Sequence, residues 1–187
     1  QRDEKKFYEL THLRVSDAIK LKEYIVSLIF ATREPSKYGL NNLESLEFRT
    51  QIAKSSLFAG MAFSQTRTAA AHSLSYPLTL FHGIPHGYAC SLTLGNIFDF
   101  NLSKDSVNLG KVLALFRNYY GTPDSSFDEC FSHFLESCNT PIKLGEFGVT
   151  LSDIPRLVDN AFHPDRFNNM IHKLSESEVR TVYTKSI

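Results

Sequence analysis

Alternating runs of β-branched residues are missing from this 187-residue chain. So is any apolar stretch that approaches the roughly 18 residues of a membrane-spanning helix. The first absence argues against a β-sheet fold, and the second excludes an integral membrane segment. Charge of one sign is not in excess either: Lys+Arg and Asp+Glu number 20 each, for a formal net charge of zero. Long-range attraction to nucleic acid or to an anionic membrane is therefore not expected. Cysteine is scarce. Cys90, Cys130 and Cys138 form no C-x-x-C, and an odd count argues against a disulfide framework, so they read as buried free thiols of a reducing, cytoplasmic compartment. The charged start, Gln1-Arg2-Asp3-Glu4-Lys5-Lys6, is no signal peptide. The first residue is not Met, which suggests a piece of a longer protein. A Gly-rich dinucleotide fingerprint is also lacking: Gly83-Ile84-Pro85-His86-Gly87 does not follow a strand.

What is present is apolar and helical. Hydrophobic residues make up 42% of the chain, with 15 Phe and 8 Tyr, enough to bury the core of one domain over residues 1–187. Ala18, Leu21, Ile25 and Leu28 recur at helical spacing after Ser16, a favourable N-cap. Asn42 can cap a second helix from Leu43 to about Gln65, whose Ala59, Gly60 and Ala62 suggest close packing. A third piece is expected over 69–74, disturbed at Pro77, which lacks an N–H and clashes with the preceding turn. After the break at Gly83-Ile84, Pro85 suits the first position of a helix that runs through Ala89, Leu92, Leu94 and Ile97. Further helices are expected at 104–120, 125–138, 152–162 and 176–186, the last opened by a capping box of Ser175 and Glu178. The fold class is all-α, a multi-helix bundle.

Two histidines stand out. His72 and His86 lie fourteen positions apart, with Pro77 and Gly83-Ile84-Pro85 between them. On one straight helix that spacing would hold them ~21 Å apart, too far to share an ion. The breaks allow the chain to turn back and aim both imidazoles into one cleft, where neutral imidazole is a common metal ligand. Gly87 leaves room for close approach. His82, four before His86, is separated from it by Gly83 and Pro85, so a helical pair there is not expected. His12, His133, His163 and His172 are scattered and read as structural or solvated.

The stretch AGMAFSQTRTAAAHSLSYPLTLFHGIPHGYACSLTLG resembles the signature region of the iron-containing (group III) alcohol dehydrogenases. In that family a small-residue helix, here Ala59 to Ser64, leads to a metal-binding His, and a second follows fourteen residues later in Pro-His-Gly. These positions are His72 and Pro85-His86-Gly87. Ser16 to Ile19, Val149 to Pro155 and Leu174 to Val179 resemble further family segments. The resemblance thus covers nearly the whole chain, as the helical C-terminal domain of a dehydroquinate synthase-like architecture. Within the family, the wording from Thr66 to Thr79 is similar to phosphonoacetaldehyde reductase-like members.

That resemblance implies a divalent metal, iron or zinc, held at His72 and His86. It implies hydride exchange with NAD(P) bound by an upstream nucleotide-binding domain absent from this chain, and a small alcohol or aldehyde as substrate. Arg67 is then suited to a phosphonate oxyanion as a guanidinium fork. A homodimer is one assembly open to such a protein. The family's other two ligands fall in an Asp-x-x-x-His pattern at or before residue 1, and Arg2 stands about where that His belongs. Many members carry a further His four residues after the first ligand. Tyr76 takes that place here, suited to donating a proton or to packing. Glycerol dehydrogenase and dehydroquinate synthase share the architecture, but Pro-His-Gly is more similar to the alcohol dehydrogenases. A domain that has lost catalysis and serves as a helical interaction or assembly module is the competing expectation.

Overall fold

The computed structural model describes residues 44–63, 68–167, 170 and 173–187. Every regular element among them is helical and none is a strand, so the all-α expectation holds. The chain divides into two compact units at residue 67. Of the first, the described part is α1, Leu46–Phe63. Its first turn is capped by Ser45, whose hydroxyl accepts the Phe48 N–H at 3.4 Å, three residues later than the expected cap at Asn42. Asn42, the helix after Ser16 and the packing of Ala59, Gly60 and Ala62 lie outside what is described.

The second unit, Thr68–Ile187, contains the elements that position the histidines. Helices α2 (Ala70–His82), α3 (His86–Leu102), α4 (Ser106–Tyr120) and α5 (Phe127–Ser137) come first. Two short 3-10 turns follow at Leu144–Phe147 and Leu151–Asp153, then α6 (Ile154–Asp159), α7 (Pro164–Phe167) and α8 (Glu176–Ser186). The expected helix over 152–162 is therefore shorter, opening as a 3-10 turn and closing at Asn160, whose side chain bonds the Arg156 carbonyl. One core joins α2, α3, α6 and α8 through Leu74, Leu78, Ile84, Ala89, Leu157, Val158, Val179 and Tyr183, all at most 1% exposed.

Pro77 does not break α2 as the sequence suggests: the helix runs through it to His82. Proline removes one i→i−4 bond and crowds the preceding turn, which costs about 3 kcal/mol in an isolated helix. Here tertiary contacts take up the strain. Pro77 is itself fully buried, and the Tyr183 hydroxyl, arriving from α8, donates to the Leu74 carbonyl at 2.8 Å in the same turn. Burial also pushes the Tyr183 hydroxyl far above the usual tyrosine range, so it stays a neutral donor. The Ser73 hydroxyl ties the turn before to the Ala161 carbonyl at 2.7 Å, likewise buried.

The real break is at Gly83. Its φ of +66° is the left-handed conformation that glycine adopts without a Cβ penalty, and its N–H returns to the Thr79 carbonyl. The Thr79 hydroxyl bonds the Ile84 carbonyl at 2.9 Å and pins the linker. Pro85 is the N-cap and His86 the first helical residue of α3.

Phenylalanine explains the packing of α3, α4 and α5. Phe127 stacks on Phe98 at 3.8 Å between centroids and meets Phe116 edge-on at 4.9 Å. The start of α5 is capped twice. Ser126 and Glu129 form a capping box, and the Asp99 carboxylate of α3 accepts the N–H groups of Phe127 and Asp128 at 2.8 and 3.0 Å. The expected box of Ser175 and Glu178 is present on α8.

Tyr183→Phe removes a buried donor from the Leu74 carbonyl and is expected to lower unfolding stability by about 1–3 kcal/mol in urea titration. An unchanged midpoint would show that α2 tolerates Pro77 without that bond. A Cβ at Gly95 would lie 2.8 Å from the Asp128 Cα and closer still to its carboxylate, whereas one at Gly110 meets nothing within 4 Å. Gly95→Ala is therefore expected to destabilise by about 1–3 kcal/mol through overpacking. Gly110→Ala is expected to stabilise by about 0.5–1 kcal/mol through helix propensity.

Candidate metal centre

Residues 72, 75 and 76 stand at i, i+3 and i+4 on α2, and residues 86 and 90 at i and i+4 on α3, so each set shares one helix face. The turn at Gly83 brings those faces together. The rings of His72 and His86 lie 5.2 Å apart between centroids, nearly edge-on, which is within reach of a shared ion. Cys90 joins them: its sulfur is 3.7 Å from His86 Nε2, and one donor atom from each of His72, His86 and Cys90 lies within 4.8 Å of the others. No carboxylate joins the cluster among the described residues.

Ser75, fully buried, orients this group. Its hydroxyl donates to the His72 carbonyl at 2.8 Å, which uses its only proton. Ser75 Oγ, 3.2 Å from His86 Nδ1, then serves as acceptor for an Nδ1–H. The Cys90 sulfur lies beside the same ring, 3.7 Å from Nε2 and 4.0 Å from Nδ1. A ligand imidazole held through its other nitrogen is the usual way a protein fixes tautomer and ring orientation.

Electrostatics favour neutral donors. Burial, the neighbouring His86 and the Arg166 guanidinium together lower the His72 pKa, which keeps it in the form that can ligate. Burial pushes the Cys90 thiol up.

On the flank sits Tyr76, its ring parallel to His86 at 6.1 Å and edge-on to His163 at 5.5 Å. Arg166, from α7, lies over the Tyr76 ring at 4.7 Å, donates to its hydroxyl and reaches the Thr68 hydroxyl at 3.3 Å.

Several sequence expectations change. His72, His86 and Tyr76 do come together, whereas Arg67 lies outside the described residues, as do His12 and His172. The described guanidinium beside the imidazoles is that of Arg166, 94 positions after His72, a separation that no local pattern signals. His163, read as structural or solvated, stands against Tyr76. His133 is exposed and paired with Glu136 at 3.3 Å, as a solvated residue would be. Of the three free cysteines only Cys130 is buried, while Cys90 and Cys138 are partly exposed. The i, i+4 spacing of His86 and Cys90 on one helix was the signal available for Cys90. A Cβ at Gly87 would meet nothing within 4 Å, in keeping with open space beside His86.

The donor set suits a divalent ion: two imidazoles and a thiol are three of the four ligands a tetrahedral site needs.

Known proteins were compared with this chain. The C-terminal model of the Fe-containing alcohol dehydrogenase family matches residues 13–187. Phosphonoacetaldehyde reductase of Streptomyces viridochromogenes is 38% identical over 53 residues, 28% of this chain and 13% of that protein. The alcohol dehydrogenase of Oenococcus oeni is similar in fold, with a TM-score of 0.71 at 20% identity over 88% of this chain and 43% of that one. Sulfoacetaldehyde reductase of Bifidobacterium kashiwanohense, solved in complex with NAD+, has a TM-score of 0.66 at 25% identity over 89% of this chain and 43% of that one. The chain spans less than half the length of each of these proteins. No helix among the described residues is long and apolar enough to cross a membrane. With the model match covering nearly all of its length, this chain belongs to the Fe-containing alcohol dehydrogenase family, within which it corresponds to the C-terminal helical region.

Proposed function

We propose that this chain is the metal-holding helical domain, residues 1–187, of a NAD(P)-linked alcohol dehydrogenase or aldehyde reductase, acting with a nucleotide-binding domain outside this chain. The observation that carries the reading is the approach of His72 and His86, from two helices, to 5.2 Å between ring centroids. Family membership supplies the reaction class, and the NAD+ complex of the sulfoacetaldehyde reductase supports the cofactor. His72 and His86 would hold the ion, and bound there a divalent metal supplies Lewis-acid polarisation of a carbonyl during hydride transfer.

The chain's own residues do the rest. Ser75 holds the His86 ring and its tautomer. Tyr76, its hydroxyl held by Arg166, presents a proton-bearing group beside the imidazoles. The core under α2 and α3 keeps these groups on rigid helices, which is what precise placement requires. The substrate class that fits is a small aldehyde with an anionic head, such as a phosphonate. Two relatives named for phosphonoacetaldehyde and sulfoacetaldehyde share that chemistry. Arg67 is the sequence's candidate for binding the head.

Metal retention, NAD(P)H oxidation and a Ser75 variant test the reading. The purified chain, loaded with Fe(II) or Zn(II) and dialysed, is expected to retain about one ion per chain by elemental mass spectrometry, and a His72→Ala/His86→Ala double variant none. An empty wild-type chain would instead favour a helical module that has lost catalysis. NAD(P)H oxidation by the chain alone is expected to be at background. Ser75→Ala, which removes the acceptor for His86 Nδ1–H, is expected to weaken metal affinity about 10–100-fold in competition with a chelator, with helicity unchanged by circular dichroism.

A further inference from the structure

We infer that Arg166, with the Tyr76 and Thr68 hydroxyls, cradles the anionic head of the substrate, a tetrahedral oxyanion such as a phosphonate or sulfonate. The inference rests on the metal-holding reading above and deepens it. It gives to Arg166 the part for which the sequence alone offers Arg67.

Hydrogen-bond direction makes this cluster a donor surface. Arg166 Nη1 donates to the Tyr76 hydroxyl and, at 3.3 Å, to the Thr68 hydroxyl. Both oxygens act as acceptors, so each hydroxyl keeps its own proton to give. Neither proton meets an acceptor among the described residues, and neither do Nη2 and Nε, the other arm of the guanidinium fork. Arg166, Tyr76 and Thr68 are each partly buried. Donors converging from three residues match the three oxygens of a tetrahedral head, and a guanidinium arm binds two of them side by side.

The fork is also held in place. Its neighbour Phe167 is buried in the core and stacks on Phe162 at 4.8 Å between centroids. The Arg166 N–H bonds the His163 carbonyl at 3.0 Å. The guanidinium lies over the Tyr76 ring at 4.7 Å, and His163 braces that ring edge-on at 5.5 Å. Residues 68, 72 and 76 follow one another at one-turn spacing, ~5.4 Å, so the cradle flanks His72 on the side of the imidazoles. Arg166 is close enough to weigh on the charge of His72. A carbonyl placed at the imidazoles therefore needs only a short carbon chain to bring its head to Arg166. The head would also separate the guanidinium from a bound dication, which otherwise repel each other.

The test is a phosphorus NMR titration of the zinc-loaded full chain with 2-hydroxyethylphosphonate, the alcohol of a two-carbon phosphonate aldehyde. The wild type is expected to bind it. Arg166→Gln is expected to bind at least about tenfold more weakly, with zinc retention and helicity unchanged. Arg166→Lys, a point charge without the fork, is expected to fall between them. Arg156→Gln, at an arginine that packs on Phe81 instead, is expected to match the wild type. Equal affinity in Arg166→Gln, or an equal loss in Arg156→Gln, would overturn the cradle. A wild type that retains zinc but binds no phosphonate would overturn it and leave the metal reading standing. Displacement of the phosphonate by ADP-ribose would assign the cradle to the cofactor and overturn it too. A wild type that retains no zinc would overturn the metal reading, and methylphosphonate, which needs no ion, then decides the cradle. Loss of methylphosphonate binding in Arg166→Gln would uphold it, and unchanged or absent binding would not.

Discussion

The hydrogen bond from the Tyr183 hydroxyl to the Leu74 carbonyl is the constraint on which the site depends. It joins the last helix to the middle of α2, one turn before Pro77, in a core from which water is excluded. A helix with an interior proline is intrinsically weak there. If α2 bent at Pro77, the face carrying His72, Ser75 and Tyr76 would no longer be aimed by the same core that holds Leu78, Thr79 and the Gly83 turn. Because Tyr183 ties the Leu74 carbonyl to α8 and Pro77 is packed in the core, α2 is held as one rod. The left-handed residue at Gly83 then acts as a single fixed corner, and α3 returns with His86 and Cys90 against the α2 face. His72, Tyr76, His86 and Cys90 all keep some exposure, but each is carried on a helix whose opposite side is buried.

The same logic extends to the far side of α3. Gly95 has no Cβ, and a side chain there would strike the backbone of Asp128, so α5 approaches closely. Asp99, one turn further along α3, caps α5 with its carboxylate. One helix therefore presents candidate metal donors at its first turns and docks a neighbour at its last ones. A shift of α5 would be felt along α3, since close-packed interiors transmit strain.

Much of this was legible in the sequence, and what was not has identifiable causes. Helical spacing places most elements within a few residues, and His72 and His86 stand out through a local motif. Pro77 misleads because its effect depends on Tyr183, more than a hundred positions later, and no local rule carries that contact. The helix near 152–162 is shortened by capping at Asn160 that apolar spacing does not register. Arg166 and His163 were invisible as site residues for the same reason as Tyr183: their relation to Tyr76 is purely tertiary. Cys90 is the instructive case. Its spacing from His86 was in plain view, but three scattered cysteines suggest inert thiols, and a single thiol acquires meaning only when a second helix supplies His72.

The electrostatic balance of the cluster follows from what the helices can and cannot bring. The two imidazoles are conditioned differently: burial, His86 and Arg166 lower the His72 pKa, while the Ser75 hydroxyl, its proton committed to the His72 carbonyl, orients the His86 ring through Nδ1. Neutral ligands position an ion but do little to offset its charge, and a guanidinium nearby works against it. The arrangement is therefore one-sided within the described residues, with donors on one flank and Arg166, Tyr76 and Thr68 on the other. A cation held between the imidazoles and an anion held near the guanidinium would each relieve the other's repulsion. On the proposed reading, such a pairing would bind a metal and an anionic substrate more tightly together than separately.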